Sequence, residues 1–158
     1  MTRNQSVSGM RLPLHRIAAG VLVVFAASHT AGGLFGPHAY GTEGEAVFTA
    51  MKTVQFPAMG ASCTWYQFWL GFGLITTLYL LFAAAVAWHL GGMAPLDRKK
   101  ALPIGWALFA SVVVTAVLSW VYFFPAPGVT ATLAAALLGL ACTRDQRLAD
   151  PPASASRG

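Results

Sequence analysis

Long apolar stretches divided by short charged ones organise this chain. No Asp, Glu, Lys or Arg occurs between Arg16 and Glu43, between Lys52 and Asp97, or between Lys100 and Arg144. A membrane-spanning helix needs about 20 predominantly apolar residues, and these gaps can hold four. The pattern predicts spans over about 16–34, 66–90, 101–124 and 129–142. Pro103 then falls in the first turn of the third span, where a missing N–H costs little. Pro125-Ala126-Pro127-Gly128 ends that span and turns the chain. The fourth span is short and is expected to tilt little, with Thr143 and Arg144 reaching the interface. The predicted fold is all-α, a transmembrane four-helix bundle over 11–148. The ends, 1–10 and 149–158, are mostly polar or small, with prolines in the tail, and are expected to be disordered.

Within each span the small and polar residues recur at helical spacing. On the first, His15, Ala18, Leu22, Ala26, His29, Gly33 and Gly36 share one face, and Gly32, Gly33 and Gly36 loosen its far end. The second carries Gly73, Thr77 and Ala84, the third Ser111, Thr115, Ser119 and Tyr122, and the fourth Thr132, Ala135 and Gly139. Small residues let helix backbones approach closely in lipid. These faces are therefore predicted to point into the bundle.

Charge adds an orientation. Hydrophobic residues make up 56% of the chain and charged residues 9%, against roughly 25% charged in soluble domains. Arg3, Arg11, Arg16, Arg98, Lys99, Lys100, Arg144, Arg147 and Arg157 fall on one side of the four-span layout and only Lys52 on the other. The positive-inside rule then predicts that both termini are cytoplasmic. The net charge of +5 does not indicate nucleic acid, because the basic residues flank apolar segments and form no basic domain. Cys63 and Cys142 fall at opposite surfaces, about 30 Å apart, too far to bridge. A cleaved signal peptide is the competing reading of the first span, with small residues at Ala26-Ala27-Ser28 for cleavage.

The first loop, 37–64, is the one sizeable piece outside the spans. Thr42-Glu43-Gly44-Glu45 fits a capping box, and Val47, Met51 and Val54 recur on one helical face after it. A short amphipathic helix on the outer surface, ended by Pro57, is expected. It would pack on the mouth of the bundle as a lid or gate a pocket beneath.

Candidate chemistry centres on Ser28-His29-Thr30-Ala31-Gly32-Gly33. A polar side chain in a span usually faces a neighbouring helix or a cavity. Counted from the outer helix ends, His29 lies about seven residues down, roughly 10 Å at 1.5 Å per residue. Phe72, Gly73 and Leu118 share that layer, and Gln67, Ser119 and Tyr122 lie near or above it. Converging faces would form a polar cluster of His29, Gln67, Ser119 and Tyr122 with aromatic walls in Trp69 and Phe72. Such a cluster could bind a small apolar ligand or simply hydrogen-bond the helices together. His15 and His89, near the cytoplasmic ends of adjacent spans, could in principle hold a haem. Snorkelling interface histidines are far commoner, so no cofactor is expected. There is no HExxH, no metal-spaced Cys/His set and no nucleotide or nucleophile-elbow motif, so neither metal site nor catalytic residue is assigned. No ionisable pair lies within a predicted span, which disfavours a transporter.

Met51, Trp65, Trp69, Gly71, Phe72 and Tyr122-Phe123-Phe124-Pro125 together resemble a family of uncharacterised four-helix bacterial membrane proteins. The resemblance covers about 16–141 and implies the four-span topology, a place in a bacterial cytoplasmic membrane and no established activity. Members of that family carry Ser/His residues shortly after the Gly-Phe pair, where this chain has Gly73-Leu74-Ile75-Thr76. Two functions remain open: binding of a lipid, quinone or isoprenoid near His29, and a site-less accessory subunit or assembly factor that docks a membrane partner or a second copy.

Overall fold

The computed structural model describes residues 13–37 and 40–149. Five helices follow one another: α1 (Leu14–Ser28), α2 (Gly41–Thr53), α3 (Trp65–Gly92), α4 (Pro95–Tyr122) and α5 (Pro125–Ala149). A π-helical segment, His29–Leu34, extends α1. A two-stranded hairpin, β1 (Gln55–Ala58) and β2 (Ala61–Thr64), separates α2 from α3. Four of the helical segments, Leu14–Leu34, Trp65–Gly92, Asp97–Tyr122 and Pro125–Leu148, are long and apolar enough to cross a membrane. The chain is thus an all-α membrane protein built on four spanning helices. The expected disorder of 1–10 and 149–158 falls outside the described residues, except that Ala149 closes α5.

The burial pattern is that of a bundle solvated by lipid. Alanines fill the centre: Ala18, Ala83, Ala87, Ala131 and Ala134 are fully buried. Large apolar side chains such as Val24, Ile75, Leu78, Phe82 and Val121 point outward. Lipid tails solvate those side chains as well as a protein core would, so close backbone approach decides which face turns inward. α1 lies between α3 and α5, and α4 packs chiefly on α5. The contact between α4 and α5 is close at two glycines. A Cβ on Gly128 would stand 2.7 Å from the Trp120 ring, and one on Gly139 would stand 2.9 Å from Phe109. Trp120 Nε1 also donates to Thr132 Oγ1 at 3.0 Å.

The helix ends depart from the sequence expectations. α5 starts at Pro125, so its two prolines occupy the first turn, whose N–H groups have no partner within the helix in any case. Its spanning part is 24 residues, roughly 36 Å at 1.5 Å per residue, so the fourth span is not short. α4 begins at Pro95, which puts Pro103 inside the helix rather than in its first turn.

The first loop departs furthest. α2 forms, but Thr42 caps nothing: Tyr40 is the N-cap and makes no side-chain capping bond. The capping box sits instead at Thr64, whose side chain accepts from Gln67 N at 3.3 Å while Gln67 Oε1 accepts from Thr64 N at 2.8 Å. β2 delivers Thr64 in extended conformation, as an N-cap requires. Val47 and Val54 on the expected packing face are exposed. α2 packs instead through Phe48, whose ring meets Tyr66 and Trp69 edge-on, each at 5.7 Å. The hairpin was not expected. Its two-residue turn, Met59-Gly60, has positive φ at both positions, 49° and 89°, the I′ geometry that matches strand twist.

The bundle has two distinct ends. At one, where α1 and α4 begin and α3 and α5 finish, Arg16, Arg98, Lys99, Lys100, Arg144 and Arg147 gather. The other carries Lys52, its ammonium 4.6 Å from the Phe48 ring centre and 5.1 Å from that of Tyr66.

Candidate functional site, a cavity at the end away from the basic cluster

The π-helical segment shapes the site. Bonding to the fifth rather than the fourth residue back widens each turn, and Phe35 N closes such a bond to Thr30 O at 3.1 Å. The widening lets the buried face drift by about one residue. Leu34 therefore becomes the buried residue, and it lies over Gly73 of α3. A Cβ on Gly73 would come within 2.4 Å of Leu34 Cδ2. That close approach carries polar side chains across the same contact. His29 Nε2 lies 3.1 Å from the Gly73 carbonyl oxygen, which Thr77 Oγ1 also reaches at 3.2 Å. Thr30 Oγ1 bonds Ala26 O at 2.8 Å and Thr77 Oγ1 at 2.9 Å. The interhelical bonding expected of this polar stretch is present.

Beside this contact lies a cavity of about 570 Å³, within the size range of small-molecule sites. α1 and its extension supply one wall through Phe25, Ser28, His29, Gly32, Gly33 and Leu34. Trp69 of α3 and Tyr40, just ahead of α2, close a second side. Phe48 stands 5.7 Å from each of those two rings, so α2 props this aromatic wall. The third side comes from Phe123, Phe124, Ala126, Pro127 and Thr130, where α4 passes into α5. No Asp, Glu, Lys or Arg is among the described lining residues.

The residues singled out from sequence divide by position. His29 and Trp69 line the cavity together. Gln67 is exposed and serves the capping box of α3. Phe72 is exposed, its ring 6.1 Å from Phe68 on the outer face of α3. Ser119 is buried but outside the lining, and Tyr122 is exposed at the end of α4. The expected cluster required α1, α3 and α4 to converge, whereas α1 is flanked by α3 and α5. The chain leaves α4 at Phe123, in extended conformation. That break in helical spacing is why Phe123 and Phe124 border the cavity and Tyr122 does not.

A second polar cluster at the basic end was not anticipated. Asp145 of α5 accepts a hydrogen bond from Arg98 Nη1 at 3.3 Å and lies 3.8 Å from His15 Nδ1. Its side chain is only 10% exposed. The predicted spans hold no acidic residue, and Asp145 lies beyond the last of them, where α5 continues through the charged residues after Cys142. His89, the other histidine considered for haem, is exposed, with Nδ1 2.8 Å from the Ala85 carbonyl of its own helix. Among the described residues no group of three or more His, Cys, Asp or Glu is placed to hold a metal ion.

Comparison with known proteins returns no matching family model, no matching curated sequence and no matching solved structure. The geometry of the chain itself is then the guide to function.

Proposed function

We propose that this chain is a multi-pass protein of a bacterial cytoplasmic membrane that binds a small apolar molecule, of the lipid, quinone or isoprenoid kind, in the cavity beside His29. One observation carries the reading: an apolar, aromatic-walled cavity with one imidazole, His29, at its edge among the described residues, the pattern of a preformed small-molecule site. The bond to Gly73 holds that imidazole in place, so orienting it does not depend on the ligand. A lone proton acceptor defines no reaction, and binding is the role assigned.

The test is native mass spectrometry of the full chain in mild detergent. Among the described residues a Cβ at Gly33 would have His29 Nδ1 alone within 4 Å, at 3.6 Å, so Gly33→Leu projects into the cavity. Wild type should carry a co-purified apolar molecule, and Gly33→Leu should lose it while keeping its thermal stability. Equal retention by both would refute the reading.

In the same proposal the basic end is cytoplasmic and the cavity opens in the outer half of the membrane, supported by the charge asymmetry between the ends. Cys63, half-buried on β2, should then react with a membrane-impermeant maleimide in intact cells, whereas buried Cys142 should not. Labelling of Cys63 only after the cells are opened would reverse the orientation.

A further inference from the structure

Three of the polar side chains that border the cavity, His29, Ser28 and Thr130, share one hydrogen-bonding character. A carbonyl oxygen only accepts, so the bond to Gly73 requires the proton on Nε2 of His29. In neutral imidazole the other nitrogen, Nδ1, is then an acceptor. Nδ1 makes no hydrogen bond to any described residue. It faces the space that a side chain at Gly33 would occupy, and both residues line the cavity. The two aliphatic hydroxyls of the lining have their protons committed elsewhere. Ser28 Oγ donates to Phe25 O at 3.0 Å and Thr130 Oγ1 to Ala126 O at 2.9 Å. Each leaves only lone pairs for a ligand.

From this we infer that the molecule bound here is uncharged and presents a hydrogen-bond donor, a hydroxyl on an apolar body, to Nδ1 of His29. The inference rests on the binding reading above and narrows it. A lipid alcohol, an isoprenoid alcohol or a hydroquinone meets the requirement. A quinone in its oxidised form brings only carbonyl acceptors and offers Nδ1 no donor. A carboxylate or phosphate would enter an apolar site with no Lys or Arg among the described lining residues, and an ammonium one with no Asp or Glu among them, both heavily penalised.

The experiment compares tritiated farnesol, its methyl ether and the corresponding carboxylic acid on the full chain in nanodiscs. The methyl ether keeps the apolar body and removes the donor. Wild type should bind the alcohol about tenfold more tightly than the ether, the upper range for one hydrogen bond, and should bind the acid least. Gly33→Ala sets a methyl group against Nδ1 and leaves the bond to Gly73 intact. It should bring the alcohol-to-ether ratio close to one, as should His29→Phe. Nitrogen NMR of labelled histidine should show the His29 proton on Nε2, with the Nδ1 resonance moving on addition of alcohol and not of ether. If alcohol and ether bind equally, and both are lost in Gly33→Leu, the donor requirement is wrong and the binding site stands. Tightest binding of the acid, or a ratio unchanged in both variants, also overturns the donor requirement. Failure of alcohol and ether alike to bind overturns the cavity reading together with this one.

Discussion

Replacing Ala83 by leucine should destabilise the protein by about 3 kcal/mol, the upper part of the usual range for overpacking. Ala83 is fully buried on the face of α3 that also buries Leu80, Ala84 and Ala87. That face meets the small residues of α1. Isobutyl in place of methyl must push the two helices apart along that seam. Water cannot compensate by leaving, because lipid already solvates apolar groups. Ala85, two residues on, is exposed on the lipid side, so Ala85→Leu should fall within about 0.5 kcal/mol of wild type. SDS titration of both variants reads the difference. Equal effects would mean that the small-residue seam is not what holds α1 and α3 together.

Loss of Asp145 should be the second large effect. Its carboxylate is the acidic partner of both Arg98 and His15, and it ties α4 and α1 to α5. Removing one partner of a fully buried pair costs about 3–5 kcal/mol, because the remaining charge is left uncompensated. The Arg98 side chain is 28% exposed and can reach water, so the expected loss for Asp145→Ala is smaller, about 2 kcal/mol. Arg98→Met in the Asp145→Ala background should recover most of that loss, since it removes the stranded charge. A double-mutant cycle by SDS titration measures the coupling. Independent, additive losses would show that the contact contributes nothing to stability.

These two predictions sit on opposite sides of what the sequence makes legible. The alanine seams follow from periodicity alone, since a lipid-solvated helix shows its packed face through its small residues. Asp145 does not, because the charged residues after Cys142 look like the end of a span while the helix continues through them. Hydropathy locates the apolar run and carries no information on where hydrogen bonding stops. The hairpin was hidden for a different reason. Its strands are four residues long, Pro57 reads as a breaker, and Met59 is an unusual residue for a positive φ, so the turn lacks the Asn-Gly or Asp-Gly signature. Two Thr-x-x-acid/amide sequences compete to cap a helix in that region. The one that forms, at Thr64, is the one followed directly by a long apolar helix.

The cavity was half legible. Counting residues down from the helix ends placed His29 level with Gly73, and the imidazole does bond that residue's carbonyl. The third wall, from Phe123 to Thr130, depends on α5 rather than α4 lying beside α1. Every span has one small face, so the faces alone leave the order of helices around the bundle undetermined. The π-helical turn matters for the same site. Gly32 and Gly33 mark a loosened helix, but its wider winding, which seats Leu34 on Gly73 and sets Gly33 beside Nδ1, emerges only in three dimensions.

The central claim is that an apolar molecule occupies the space between the π-helical segment and the turn from α4 into α5. Photo-crosslinking the full chain in membranes with a diazirine-bearing farnesol, followed by peptide mapping, tests it most directly. The account predicts adducts within 25–34 and 123–130, competed away by unlabelled farnesol and absent from Gly33→Leu. Adducts that resist competition, or that fall on lipid-facing positions such as Phe82 and Val114, would contradict it.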